Sequence, residues 1–169
     1  MLRIVTIVIL AVTIFLCAKM AYKRQSKMES VQPFVSIDTA RLNFRQVVYV
    51  PVHANIYLEK GSRHLKLTTV LKIRNTSSSD SIYVFRIEYY DTEGVQLKSY
   101  VDSVFLIKPM ATAQIFVKHD EFKKRGDNFI VEWRADNPKQ FPLIQALSSD
   151  PGSKFVLTTE GVSIETAIP

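Results

Sequence analysis

The chain has 169 residues, of which 47% are hydrophobic, and its only cysteine is Cys17. Five of the 22 basic residues lie before the first acidic one, Glu29, which leaves 17 basic against 16 acidic residues in the rest of the chain. That balance argues against a nucleic-acid-binding domain, and the local cluster of Lys118 with Lys123–Arg125 is typical of a solvated loop. A chain without cysteine after position 17 also excludes an intramolecular disulfide or a thiolate zinc site there.

An apolar run opens the chain, from Ile4 to Ala18. With its flanks it approaches the roughly 20 residues that cross a bilayer, so we predict one N-terminal transmembrane helix within residues 1–24. Two alternatives stay open, a cleaved signal peptide and lipidation at Cys17. No small-residue cleavage site follows the run, however, and Phe15-Leu16 precede the cysteine.

Two sequence signals disagree on the orientation of this segment. The cations between Lys19 and Lys27 outnumber those before the apolar run, which favours a cytoplasmic domain. A short basic start followed by an apolar run is also typical of export signals. Charge alone therefore leaves the side of the membrane open.

Residues 25–40 are polar and include Pro33, which predicts a linker, and residues 41–169 are predicted to form one all-β domain. Its central stretch, Leu65–Gly94, alternates with a period of two and is interrupted by turn-forming residues at 75–80. We predict a β-hairpin that closes at Asp91–Gly94, where Gly94 can adopt a positive φ. One predicted face carries Leu65, Leu67, Thr69, Leu71 and Ile73 in the first strand, and Tyr83, Phe85, Ile87 and Tyr89 share a face in the second, opposite Ile82, Val84, Arg86 and Glu88.

Further strands are predicted on both sides of this hairpin. Val47–Leu58 is the first, and Pro51 within it cannot donate to a ladder, which predicts an edge strand or a bulge. Trp133 is expected in the core, on one face with Phe129 and Val131. No segment after Met28 holds a helical period, and roughly seven to nine short strands predict an antiparallel β-sandwich of immunoglobulin-like type. The later strands are Val95–Val101, Val104–Ile107, Ala113–Lys118, Asn128–Ala135, Leu143–Leu147 and Phe155–Thr159.

No convergent catalytic or metal-binding set is evident in the sequence. His53 and His64 have no ligand at a short, fixed spacing, and in His119-Asp120-Glu121 consecutive side chains of an extended chain point to alternate sides. Asp91 and Glu93 flank a turn, where acids are common. A Gly-x-Ser-x-Gly elbow and a glycine-rich phosphate loop are absent. We therefore expect no catalytic residue, no metal and no cofactor.

Two weaker patterns concern binding and modification. Tyr83, Tyr89, Tyr90 and Tyr100 could line a groove for a sugar or a peptide, although tyrosines also fill half-buried sheet faces. Asn75-Thr76-Ser77 matches the acceptor pattern for N-glycosylation, which matters only in a secretory pathway that uses it.

Several blocks of sequence together resemble a bacterial family of unknown function, the domain-of-unknown-function family 3124. The resemblance implies a small exported or membrane-attached domain, and it implies no activity or catalytic residue. The blocks, in chain order, are VYVPVHANIY at 48–57, LTTVLKIRNTSSSDSIYV at 67–84, YYDTEG at 89–94, KPMATA at 108–113 and NFIVEW at 128–133.

The expected function is a non-catalytic binding or interaction module on the cytoplasmic membrane, facing the periplasm or the exterior. Its partners would be the membrane, through the N-terminal helix, and an unidentified protein or cell-envelope component, but not nucleic acid. The alternative is a cell-envelope hydrolase whose loops supply His119, Asp120 or the Asp91 and Glu93 carboxylates.

Overall fold

The structure is a computed structural model that describes residues 42–59, 63–117, 126–136, 138–150, 152 and 155–167. The predicted anchor at 1–24, the predicted linker at 25–40 and the run His119-Asp120-Glu121 lie outside these residues. No helix long and apolar enough to cross a membrane occurs in the part of the chain that the structure describes.

The described residues form twelve β-strands, and every strand pair is antiparallel, which confirms the prediction of an all-β fold. The larger sheet has the order β12-β1-β9-β5-β6, with β7 also beside β5; the second has the order β11-β10-β4-β8; β2 and β3 form a separate pair. The strands are β1 (Phe44–Pro51), β2 (Asn55–Glu59), β3 (Arg63–Lys66), β4 (Thr68–Arg74), β5 (Ile82–Asp91), β6 (Gln96–Ser99), β7 (Phe105–Ile107), β8 (Thr112–Val117), β9 (Gly126–Ala135), β10 (Leu143–Asp150), β11 (Phe155–Glu160) and β12 (Val162–Ala167).

The two larger sheets bury one common hydrophobic core, which makes the fold sandwich-like. Leu71 and Ile73 of β4 belong to the same buried cluster as Val131 and Trp133 of β9. Trp133 is fully buried, as predicted, and its Nε1 donates a hydrogen bond to Oε1 of Gln46 at 3.0 Å. The large indole therefore buries its apolar surface without leaving its one polar atom unsatisfied.

The predicted pairing between the two strands of the 65–94 stretch is wrong. β4 lies between β10 and β8, whereas β5 lies in the other sheet. Residues 75–81 therefore cross from one sheet to the other instead of closing a hairpin. Alternation shows which residues of a strand face the core, but it does not show which strand is the neighbour, and a short polar connection suits both topologies.

A β-bulge in β5 corrects the predicted faces of that strand. Its register against β9 shifts at Phe85, because Val84 pairs with Trp133 and Arg86 with Glu132. One extra residue reverses the alternation, so the buried side chains before and after the bulge have different parity. Ile82 and Val84 face the core before it and Ile87 and Tyr89 after it, while Tyr83 and Phe85 are only half-buried.

The first predicted strand is two strands, β1 and β2, and β1 is neither at an edge nor bulged at Pro51; its register against β12 shifts between Val47 and Val48 instead. It lies between β12 and β9, and its pairing with β12 ends at Tyr49, before Pro51. The missing N–H of Pro51 therefore removes no hydrogen bond from that ladder.

The closing turn of β5 and β6 is confirmed, since Gly94 has a φ of +77° and its N–H donates to the carbonyl of Asp91 at 3.0 Å.

Candidate functional site

Of the residues of the predicted hydrolase alternative, the structure describes Asp91 and Glu93, whereas His119 and Asp120 lie outside the described residues. The Asp91 carboxylate is buried, and its Oδ1 accepts hydrogen bonds from the N–H groups of Glu93 at 2.9 Å and Val95 at 2.8 Å. Glu93 is exposed at the tip of the same turn, His53 is exposed in the segment between β1 and β2, and His64 lies in β3. Within the described ranges no group of three or more His, Cys, Asp or Glu could hold a metal ion.

The four tyrosines considered for a groove do not share a surface. Tyr89 is buried and stacks on Phe129 with ring centroids 4.5 Å apart, and Tyr100 packs at the edge of the same ring, at 6.2 Å. Tyr83 and Tyr90 are half-buried and lie on the outer side of β5. Tyr89 is therefore a core residue, and the four tyrosines do not line one groove.

Asn75 of the glycosylation pattern is buried and is used by the fold. Its side chain is 3% exposed, and Nδ2 donates to the carbonyl oxygens of Asp80 at 2.7 Å and of Ile107 and Lys108 at 3.1 Å each. These bonds tie the connection between β4 and β5 to the end of β7. The folded domain therefore does not present the Asn75 amide for glycosylation.

A cluster of charged side chains covers the outer face of the six-stranded sheet, and we call it the charged face. It consists of Arg45 on β1, Arg86 and Glu88 on β5, and Glu132 and Arg134 on β9. The register places Arg45 beside Arg134, and Glu132 beside Arg86. Because the bulge at Phe85 reverses the alternation of β5, Arg86 and Glu88 point outward next to β9.

Glu132 lies at the centre of the charged face, with three arginines around it. Its Oε1 accepts hydrogen bonds from Nε and Nη2 of Arg134 at 3.0 and 2.7 Å, and its Oε2 accepts one from Nη2 of Arg45 at 3.1 Å. Burial raises the pKa of the Glu132 carboxyl, but the hydrogen bonds and charges of Arg45 and Arg134 together outweigh it, so the pKa lies below its ordinary value. Glu132 is therefore ionised at neutral pH.

Arg45 joins three strands of the sheet. Besides Glu132 on β9 it forms an ion pair with Glu165 on β12, and both carboxylates stand in register with Val47. Its guanidinium therefore extends over Val47, which explains why Val47 is 2% exposed although it lies on the outer side of β1. These two hydrogen bonds also raise the pKa of Arg45 further above its ordinary value.

Arg86 is the arginine of this face whose hydrogen-bonding capacity is least used. Its Nη1 lies 3.4 Å from Oε2 of Glu88 and its Nε 3.9 Å from Oε2 of Glu132, and its buried Nε has no hydrogen-bond partner among the described residues. The neighbouring oxygens are engaged, since Oε2 of Glu88 accepts a hydrogen bond from the Tyr90 hydroxyl at 2.7 Å. That bond raises the pKa of Tyr90. A planar guanidinium whose N–H donors are not all used can form paired hydrogen bonds to a carboxylate or a phosphate. The geometry around Arg86 therefore suits the binding of such a group.

A second surface lies at one end of the sandwich, where three connections cross between the sheets. These are residues 75–81, residues 108–111 and, of the third connection, the described residues 136 and 138–142; we call this region the crossover end. The N–H of Met110 donates to the carbonyl of Ser77 at 3.0 Å, and the Thr76 hydroxyl donates to the carbonyl of Phe141 at 2.7 Å. The three connections therefore form one hydrogen-bonded platform.

Two large apolar side chains project from the crossover end. Met110 is 72% exposed and Phe141 is 55% exposed. Met110 has a φ of 60°, and the N–H of Ala111 donates to the carbonyl of Lys108 at 3.1 Å, which closes a turn with Pro109 at its second position. The third position of such a turn favours glycine or asparagine, so methionine there is unusual.

Sequence reasoning found neither surface. The charged face depends on the bulge at Phe85, for which the sequence carries no signal because Phe85 fits the alternation of its strand. Met110 did carry a signal, since Lys-Pro-Met is a turn sequence with a bulky residue where glycine or asparagine is expected.

The chain was compared with known proteins. Residues 45–164 match the family model described as "Protein of unknown function (DUF3124)". No curated protein matches the chain. A crystal structure of Thermotoga maritima 1070 is similar over 69% of this chain and 92% of that one, with 16% sequence identity and a TM-score of 0.37. On the family match, which spans most of the strands described above and agrees with the sequence blocks, the chain belongs to the DUF3124 family of proteins of unknown function.

Proposed function

We propose that this protein is a non-catalytic binding module that is attached to the cytoplasmic membrane by residues 1–24 and faces the periplasm or the exterior. Its ligand is an anionic group, a carboxylate or a phosphate, on a protein or another cell-envelope component. The single observation that carries this proposal concerns Arg86. It is an outward arginine, and the carboxylates beside it do not use all of its N–H donors.

The surroundings of Arg86 support binding by the charged face. Glu132 holds Arg45 and Arg134 in place, and Phe85 packs against Arg134, with Cζ of the arginine 4.2 Å from the ring centroid. The Arg86 side chain is 38% exposed, so a ligand can reach its terminal nitrogens. Half-buried Tyr90 beside it offers an apolar ring with a polar tip, a combination that is enriched at interfaces.

The attachment and the orientation have separate support. The apolar run Ile4–Ala18 is followed by no small-residue cleavage site, which favours retention of the segment. The outward orientation agrees with the export that the family resemblance implies. Two antiparallel sheets around one core with a central tryptophan support the immunoglobulin-like type of sandwich as part of the same proposal.

Site-specific photocrosslinking in cells that produce the full chain tests the binding role. A photoreactive amino acid at Tyr90 should give a discrete crosslinked product, because Tyr90 lies beside Arg86. The matched control is Lys72, which lies on the outer face of the four-stranded sheet and should give none. Arg86→Ala should abolish the Tyr90 product. Arg86→Lys should weaken it, since lysine keeps the charge but cannot form the paired hydrogen bonds of a guanidinium. Equal products from both positions, or a Tyr90 product that survives Arg86→Ala, would contradict the proposal.

A further inference from the structure

We propose that the crossover end of the domain rests on the membrane surface, with Met110 and Phe141 in the lipid interface and Lys108 and Lys139 against anionic headgroups. The partner is therefore a phospholipid bilayer. This inference rests on the proposed attachment by residues 1–24 and adds which surface of the domain meets the membrane.

The two apolar side chains are held rigidly and point away from the core. The Phe141 ring lies 5.4 Å from that of Phe44 and 6.0 Å from that of Trp133, centroid to centroid, so its inner side is fixed by the aromatic core while more than half of it stays exposed. Met110 lies on the adjacent connection, tied through Ser77 to the same platform. Two neighbouring exposed apolar tips on a rigid base resemble a contact surface more than scattered exposed residues.

The backbone at Met110 has a φ of 60°, a conformation that residues other than glycine rarely adopt. A non-glycine residue in the left-handed region is strained, and such strain concentrates at functional sites. The Met110 side chain is the most exposed of the large hydrophobic side chains in the described ranges, so burial within the domain does not offset that strain. Contact of this side chain with an apolar environment outside the domain would offset the strain.

Two exposed lysines precede the apolar tips at this end. Lys108 and Lys139 are exposed, and each precedes one of the apolar tips by two residues, Met110 and Phe141 respectively. A lysine beside an inserted apolar side chain is a common arrangement at a lipid interface, where the ammonium meets headgroups while the apolar side chain enters the acyl boundary.

Two exposed carboxylates, Asp80 and Asp136, also lie at the crossover end and balance the two lysines in number, and both accept hydrogen bonds within the domain. Asp80 accepts hydrogen bonds from the hydroxyl groups of Ser77 at 3.2 Å and Ser79 at 2.9 Å, and Asp136 accepts one from Asn43 at 3.4 Å.

The course of the chain also favours this end. β1 begins here, because Asn43 and Phe44 contact Asp136 and Phe141, so the chain enters the domain on the side that carries the apolar tips. Residues 19–41 connect this point to the apolar run and could reach on the order of 75 Å if extended, so the connection permits the contact without enforcing it. Tethering keeps the domain at a high local concentration near the bilayer, and a weak contact is then sufficient.

Lipid quenching of single fluorescent labels on the full chain tests the inference. Cys17→Ser removes the only cysteine, and Met110→Cys, Phe141→Cys and Val95→Cys then provide one labelling site each. Val95 is the matched control, since it is 51% exposed and lies beyond β5 at the opposite end of the sandwich. Each chain is labelled with an environment-sensitive fluorophore and reconstituted into phosphatidylcholine and phosphatidylglycerol vesicles that contain a nitroxide-labelled lipid.

We expect several-fold stronger quenching at positions 110 and 141 than at position 95, and weaker quenching at 141 when Met110→Asn or the pair Lys108→Glu and Lys139→Glu is added. Met110→Asn relieves the backbone strain, so a raised melting temperature distinguishes lost lipid contact from misfolding.

A chain that floats with the vesicles but is quenched equally at all three positions overturns the inference alone. A chain that does not float overturns the proposed attachment and this inference with it. Protection of positions 110 and 141 by membrane proteins without lipid quenching shows a protein partner and also overturns it.

Discussion

Glu132 shows how one acidic residue organises a whole sheet face. Its carboxylate receives hydrogen bonds from arginines on β1 and β9 and stands near a third on β5, so it neutralises cations that would otherwise repel one another. Because its side chain is only 9% exposed, an uncharged replacement would remove the carboxylate that pairs with Arg134, and one of the two carboxylates beside each of Arg45 and Arg86, in a partly desolvated place.

Glu132→Gln should therefore lower the free energy of unfolding by about 1–3 kcal/mol at neutral pH, measured by urea denaturation. A lowered carboxyl pKa contributes stability above the ordinary value of 4.5, and this contribution is lost as the pH falls through the pKa of the folded state. The wild-type protein should thus lose stability on acidification below that value, and the variant should lose less. The control is Glu160→Gln, an exposed carboxylate on β11, and coincident pH profiles of wild type and Glu132→Gln would contradict the expectation.

Gly126 illustrates a residue whose missing side chain is required. A Cβ atom there would lie 1.8 Å from Cζ of Tyr89, and Tyr89 cannot move aside because it is buried and stacked on Phe129. Gly126→Ala should destabilise the domain by about 1–3 kcal/mol or more, read from the midpoint of urea unfolding. Gly152→Ala is the matched control, since its Cβ would meet nothing closer than 3.5 Å, and a similar loss in both variants would count against the close packing at Tyr89.

At the scale of elements, the alternation in β4 is the sequence signal that the structure confirms best. Leu67, just before the strand, and Thr69, Leu71 and Ile73 within it are buried, while the residues between them are half-buried. Thr69 is a polar member of this face, and its hydroxyl lies 3.1 Å from that of Ser148 on β10, which satisfies both groups inside the core.

Leu71→Ala should therefore lower the free energy of unfolding by roughly 2–5 kcal/mol, because a fully buried side chain is replaced by a cavity. Lys72→Ala, one residue later on the outer face, should change it by no more than about 0.5 kcal/mol. Urea denaturation of the two variants measures both values. Equal effects would mean that the faces of β4 are assigned wrongly.

β5 carries the same kind of pattern as β4, but its predicted faces are wrong for a physical reason. Aromatic residues such as Tyr83 and Phe85 suit a sheet face as well as Ile82 and Val84 do, so the sequence around the bulge fits either face. The choice depends on β9, whose Trp133 and Glu132 stand opposite Val84 and Arg86. A bulge is a property of a strand pair, and a single strand cannot show it.

In the whole molecule, the surface proposed for binding and the surface proposed for membrane contact lie apart. The charged face lies on the outer side of the larger sheet, and the crossover end lies where the chain enters the domain. A domain whose crossover end rests on a bilayer would hold the charged face away from the lipid plane and open to a partner. The proposed binding and the proposed membrane contact would therefore use different residues.

Alkaline phosphatase fused after Pro169 tests the proposed topology. We expect enzymatic activity of the fusion, because this reporter is active only outside the cytoplasm, and we expect the chain to stay in the membrane pellet after a carbonate wash because residues 1–24 would be retained as an anchor. A cytoplasmic reporter at the same position is the control. Activity of the cytoplasmic reporter alone would reverse the orientation and leave the anchor, whereas release by carbonate would argue against the anchor.

From the sequence one can predict the all-β class, the inward faces of β4 and β9, the core position of Trp133, the turn at Gly94 and the family. Each of these depends on local alternation, on turn chemistry or on blocks of residues that are contiguous in the chain. Three features follow from the fold: β4 and β5 lie in different sheets, Phe85 forms a bulge, and Arg86 and Met110 lie on two separate surfaces. These features depend on which strands become neighbours, and that choice is made by contacts between residues that are distant in the chain.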